Sequence, residues 1–142
     1  MIEICFVCTG NTCRSVMAER IAKKMAKSSG MKDVKFSSCG LRAKKENITE
    51  NASKALKALG YDGRDRKSVL FKKPKPKVLY VTVTNQHKQY VDSKSVLSFE
   101  DLAGGVTDPY GQDLETYLKT AKQIENNVSI LLEKIKKLRG EI

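Results

Sequence analysis

The chain has 142 residues, a formal charge of +11 and no Trp, which fits one domain that buries roughly two-thirds of its unfolded surface. Twelve Lys/Arg stand against four Asp/Glu between positions 42 and 77, but they are scattered without interleaved aromatics or zinc-finger spacing. Nucleic-acid binding is therefore set aside, and the charge reads as a solvated face that favours acidic or phosphorylated proteins. No apolar run approaches a membrane span or a secretory leader, and Cys5, Cys8, Cys13 and Cys39 are too few for a secreted disulfide framework. A cytoplasmic protein with catalytic or redox thiols is expected.

Residues 2–7 are a near-continuous apolar run, as in a strand buried on both faces of a parallel sheet. Residues 15–29 read as a helix with Met17, Ile21 and Met25 on one face and Gly30 at its end. A short second strand spans 34–37. A second helix spans 49–59, with Thr49 as cap, Ala52, Leu56 and Leu59 facing inward, and Gly60 as stop. Residues 69–77 are irregular, since Pro74 and Pro76 fit neither a helix interior nor a central strand. A third strand spans 78–83, a short helix 86–91 and a brief fourth strand 96–97.

Gly104 and Gly105 open a loop through Asp108-Pro109-Tyr110-Gly111. From 113 to 139 runs a long amphipathic helix, with a stripe of Leu114, Tyr117, Leu118, Ala121, Ile124, Val128, Leu131, Leu132, Ile135 and Leu138. One wide stripe of this kind packs on a sheet more readily than on a second copy. Strands alternating with helices predict a single α/β domain over 1–142, built on a small parallel sheet. Sites in such sheets form at the carboxyl ends of strands, where Cys8 stands.

The chemistry concentrates in Cys8-Thr9-Gly10-Asn11-Thr12-Cys13-Arg14, followed by Ser15. Seven residues between a strand and a helix can curl so that several N–H groups face one anion. Gly10 accepts positive φ, and Asn11 does so better than most side chains. The helix N-terminus and Arg14 favour an anionic Cys8 sulfur, Arg14 can fork across two phosphate oxygens, and the Ser15 hydroxyl can donate to the sulfur. A thiol at one end of an anion cradle and a guanidinium at the other point to cysteine-dependent phosphoryl transfer. The departing atom needs a proton and the later water needs a base. Asp108 is the candidate for both, stiffened by Pro109 and flanked by the aromatic wall of Tyr110.

The phrase from Val7 to Ser15 closely resembles the signature of the low-molecular-weight protein tyrosine phosphatases, and Asp108-Pro109-Tyr110 looks like that family's acid loop. Length, element order, Ser38-Cys39-Gly40 and the terminal helix extend the resemblance over nearly the whole chain. It implies a four-stranded parallel sheet flanked by helices on both faces, with Thr9, Gly10, Asn11, Thr12, Cys13, Ser15 and Tyr110 around the substrate. It also implies Cys8 as nucleophile through a phosphocysteine, Arg14 as clamp and Asp108 as acid then base, acting on phosphorylated protein with no metal or cofactor. The chain departs from the family at Val16, where proline is usual. A family histidine that braces the loop through Asn11 aligns near Asp65 or Arg66, and the wall loop reads Leu41-Arg42-Ala43-Lys44-Lys45.

Within the resemblance, Thr12 and Gln86-His87-Lys88-Gln89 look like the arginine-phosphatase branch, which tilts the expected substrate toward phosphoarginine, with phosphotyrosine as the alternative. Arsenate reductases share the loop but need relay cysteines downstream, and none follows Cys39. A non-catalytic phosphate-binding module would need neither Cys8 nor Asp108. Cys5 and Cys8, three apart on a strand, face opposite ways, so Cys5 is read as core and not as part of a metal or thioredoxin-like pair. Cys13 either packs the loop or protects Cys8 by a reversible disulfide. His87 is expected at the surface or at a helix cap, and oligomeric state is left open.

Overall fold

The computed structural model describes residues 2–138 and 140. Its elements are, in chain order, β1 (Ile2–Cys8), α1 (Arg14–Ser28), β2 (Val34–Gly40), α2 (Glu50–Ala58), β3 (Val78–Thr82), α3 (Asn85–Lys88), β4 (Val96–Ser98), α4 (Phe99–Leu102) and α5 (Leu114–Leu138). The four strands pair in parallel in the order β2-β1-β3-β4. This is the expected single α/β sheet, with the most apolar strand inside it. No helix among the described residues is long and apolar enough to cross a membrane.

Alternation along the strands sorts their side chains into two layers. Ile4, Phe6, Phe36 and Val81 join Met17, Ile21, Tyr117, Ile124, Val128 and Leu131 in the main core. Phe6 stacks on Phe36 with ring centroids 6.2 Å apart. Cys5, Val7, Cys39, Val78 and Tyr80 form a smaller cluster on the other face, joined by Val91 and by Phe71 from the irregular 69–77 segment. Phe71 meets the Tyr80 ring edge-on at 5.7 Å, so the two-proline stretch lies across that face.

Several boundaries differ from the sequence reading, each for a local reason. Strand β2 runs three residues past 37, because Ser38, Cys39 and Gly40 pair with Phe6, Val7 and Cys8. Thr49 takes the N-cap position of α2, yet its side chain makes no cap hydrogen bond. Its hydroxyl instead donates to the Thr12 carbonyl at 3.5 Å. Gly30 and Gly60 end their helices at φ of +74° and +86° as expected. Helix α4 escaped notice because it is a single turn, held by a capping box between Ser98 and Asp101.

The α5 stripe is buried from Tyr117 to Ile135 except for the half-buried Leu118, chiefly against α1 and α2. Leu114 and Leu138 correct the expected stripe, since both are exposed at its ends. The expected last helical residue, Arg139, lies outside the described residues.

Candidate active site

Strand β1 delivers Cys8 to its carboxyl end, the chain turns through Thr9–Cys13, and α1 begins at Arg14. Asn11 makes the turn with φ of +57°. Gly10 does not share the left-handed conformation, which corrects one expectation: the side chain best able to stand it takes it alone. The strain is offset by hydrogen bonds. Asn11 Nδ2 donates to Ser15 Oγ at 2.7 Å and to Ser38 Oγ at 3.0 Å, while its Oδ1 accepts from the Val69 amide at 2.9 Å.

These contacts aim donors at the sulfur. The Asn11 amide donates to Cys8 Sγ at 3.3 Å, and Ser15 Oγ lies 2.8 Å from it. Because Ser15 Oγ already accepts from Asn11, its own hydrogen is free for the sulfur, or for the Cys39 carbonyl at 3.4 Å. Helix α1 carries no side-chain cap at Cys13, so its first-turn N–H groups are not covered by that side chain.

Beneath the loop, Gly40 of β2 touches its backbone. A Cβ there would sit 2.6 Å from the Thr9 carbonyl oxygen and 2.9 Å from the Asn11 amide nitrogen. The amides of Leu41 and Arg42 donate to the Cys8 and Thr9 carbonyls, both at 2.9 Å.

Arg14 is buried with its Nη2 3.6 Å from Asp108 Oδ2, whose carboxylate is largely exposed. Asp108 Oδ1 accepts from the Tyr110 amide at 3.2 Å, which fixes the turn. A cavity of about 300 Å³ is lined by Cys8 to Arg14, Asp108, Tyr110 and Glu46. The expected residues therefore converge, with one exception. Ser15 is fully buried behind the sulfur and does not line the cavity.

Sequence reasoning missed the support beneath the loop. Ser38 Oγ donates to Glu19 Oε1 at 2.6 Å, and Arg66 Nη2 reaches the same carboxylate at 3.1 Å and also the Ser38 hydroxyl. Of the two expected positions, Arg66 and not Asp65 joins the loop's support, linked to Asn11 through the shared Ser38 hydroxyl. Asp65 instead accepts from the Ile48 amide at 3.0 Å. The available signal was Glu19, a carboxylate among the buried residues of an apolar helix face. A buried charge needs a partner, and Arg66 is the guanidinium that meets it.

His87 is buried, which corrects the expectation of a surface residue. Thr84 Oγ1 accepts from the His87 amide and lies 3.1 Å from its Nδ1, while Nε2 is 2.9 Å from Thr9 Oγ1. Burial first, and the Arg14 charge second, push its pKa down, which favours the neutral ring. Cys13 Sγ lies 3.3 Å from Tyr117 Oη and 3.4 Å from Thr49 Oγ1. Burial, then that thiol, push the Tyr117 hydroxyl up to about 12. Among the described residues no three His, Cys, Asp or Glu side chains cluster to hold a metal.

The family model described as low molecular weight phosphotyrosine protein phosphatase matches residues 3–140. The protein-arginine-phosphatase of Bacillus subtilis (strain 168) is 31% identical, over 97% of this chain and 99% of its own length. The low molecular weight protein-tyrosine-phosphatase PtpB of Staphylococcus haemolyticus is 30% identical, over 87% and 92%. A crystal structure of a YwlE mutant from Bacillus subtilis has a TM-score of 0.88 at 29% identity, covering 96% of this chain and 99% of that one.

Proposed function

The chain belongs to the low molecular weight phosphotyrosine protein phosphatase family, and from that membership we propose that Cys8, Arg14 and Asp108 are its catalytic residues and phosphoarginine its preferred target. The enzyme is a protein phosphatase. The observation that carries the residue assignment is the convergence of two donors on Cys8 Sγ at one end of a cavity whose other members include Arg14 and Asp108.

A phosphoryl group enters that cavity with its oxygens facing the loop amides and the Arg14 fork. The Cys8 thiolate attacks phosphorus, an S–P bond forms, and the P–N or P–O bond to the substrate breaks. Asp108 gives its proton to the departing nitrogen or oxygen. It then takes a proton from the water that attacks the phosphocysteine, and phosphate leaves with the thiolate restored. Asn11, Ser15 and the other loop residues hold the sulfur and the oxygens. Cys13 is assigned a second task, closing a disulfide with an oxidised Cys8. Four free thiols support a reducing, cytoplasmic setting.

Two wall residues support phosphoarginine. Thr12 presents a hydroxyl where an aliphatic chain would pack on a phenyl ring, and Glu46 adds a carboxylate suited to a guanidinium. Relatives of each activity are about equally similar, at 31% and 30% identity. Tyr110, two-thirds exposed beside Asp108, favours the second reading, phosphotyrosine, through ring stacking.

A side-by-side assay on phosphoarginyl and phosphotyrosyl peptides tests the choice, with Cys8→Ser as the inactive control. Wild type is expected to prefer the phosphoarginyl peptide, and Thr12→Ile or Glu46→Gln to shrink that preference about tenfold. Equal turnover of both peptides, unchanged in the two variants, removes the phosphoarginine reading.

A further inference from the structure

Two cysteines remain without a part in this chemistry. Cys5 and Cys39 are both buried on the second face of the sheet, with their sulfurs 3.5 Å apart. We propose that they form an oxidisable dithiol, which a hydroperoxide closes to a disulfide across β1 and β2, distorting the floor of the phosphate loop.

The pair is reachable although buried. A cavity of about 430 Å³ on that face is lined by both cysteines together with Lys35, Lys72, Lys73 and Lys75. Burial and the charges of Glu3 and Glu19 work against a Cys5 thiolate, and a hydrogen bond from Ser37 works for it. Hydrogen bonding from Cys39 is the largest influence on Cys5 and pushes its pKa down. The same contact, then burial, push Cys39 up. With Cys5 oxidised first, the Cys39 sulfur lies 3.5 Å away to resolve it, and the reverse order is open to the same pair.

The Cys5 thiolate attacks one peroxide oxygen, the O–O bond breaks, and hydroxide or alkoxide leaves and takes a proton. Cys5 is now a sulfenic acid. Cys39 sulfur then attacks Cys5 sulfur, the S–S bond forms, the S–O bond breaks, and water leaves with the Cys39 proton. Two thiols lose two electrons and two protons, and one hydrogen peroxide becomes two waters.

Closure has a structural consequence. The register pairs Cys5 with Ser37 and Val7 with Cys39, so the two cysteines are diagonal neighbours on one face. Diagonal Cα atoms lie about 7–8 Å apart, beyond the usual disulfide span, and the sulfurs must approach to about 2.05 Å. The strands have to slide. Cys39 is bonded to Gly40, whose Cα has no slack beneath the Thr9 carbonyl. The shift is thereby passed to the Leu41 and Arg42 amides that hold the Cys8 and Thr9 carbonyls. A bond formed under such strain is readily reduced again.

The test uses a Cys8→Ser/Cys13→Ser protein, in which only Cys5 and Cys39 remain, treated with hydrogen peroxide. The expected result is a mass loss of about 2 Da that dithiothreitol reverses, with amide-exchange protection of Leu41 and Arg42 falling about tenfold on oxidation. Two surviving thiols, a gain of oxygen in place of the loss, or the loss with protection unchanged overturns the proposal. Oxidised wild type supplies the second measurement should the double variant fold poorly. After tryptic cleavage, a disulfide joining fragment 36–42 to Cys5 in fragment 1–14 supports the dithiol. A free Cys39 thiol beside a Cys8–Cys13 bridge overturns it.

Discussion

The His87 ring is held between two threonine hydroxyls. Thr84 Oγ1 accepts from the backbone amide and faces Nδ1, while Thr9 Oγ1 faces Nε2, and either neutral tautomer satisfies both contacts. Protonation would make both ring nitrogens donors and put a cation near Arg14. With the folded pKa below the unfolded 6.5, the unfolded chain binds the extra proton first. Stability from this residue is therefore intact above about pH 6.5 and falls as pH drops toward the folded value, by at most about 1.4 kcal/mol per pH unit. Urea midpoints at pH 7.5 and 5.5 are expected to fall further apart in wild type than in His87→Gln; equal gaps would show that folding does not lower the proton affinity of the ring. Cys8 and Arg14 were legible in the sequence as the two ends of one loop, and Asp108 through its pairing with them and the family resemblance. The fold brings all three to one cavity. Arg66 was not legible, because its partners Glu19 and Ser38 come from α1 and β2, and only the fold brings the three together.

At the scale of the elements, strand and helix types were legible from their apolar periods, and the ends were set by contacts that no local pattern carries. Strand β2 continues past its apolar stretch because Gly40 has to pass under the loop, and Thr49 leaves its capping duty for the Thr12 carbonyl. The two glycines of the site should therefore respond oppositely. Gly40→Ala drives a methyl against backbone at 2.6 Å and is expected to cost about 1–3 kcal/mol and most of the turnover. A methyl at Gly10 meets nothing nearer than the Thr12 hydroxyl at 3.6 Å, so Gly10→Ala should keep both stability and activity within about twofold. Thermal midpoints and aryl phosphate hydrolysis of the two variants check this, and equal losses would show that the floor contact does not matter.

For the molecule as a whole, the layered architecture was legible from alternation alone, while the placement of its charge was not. Arg42 and Lys72 line a groove of about 510 Å³ that also contains Thr9 and His87, so part of the basic excess borders the site. Raising salt from about 20 to 200 mM shortens the screening length severalfold. It is expected to lower kcat/KM for an acidic phosphoprotein about tenfold, and for a small aryl phosphate about twofold. Matching slopes for the two substrates would leave the face as mere solubilising charge. The strand order has a different consequence. The strand that ends in Cys8 is paired on both sides, while the segment bearing Asp108 is an exposed loop. Gentle warming should thus loosen the proposed proton donor while the sulfur keeps its seat, so aryl phosphate turnover is expected to fall silent some degrees before the molecule melts.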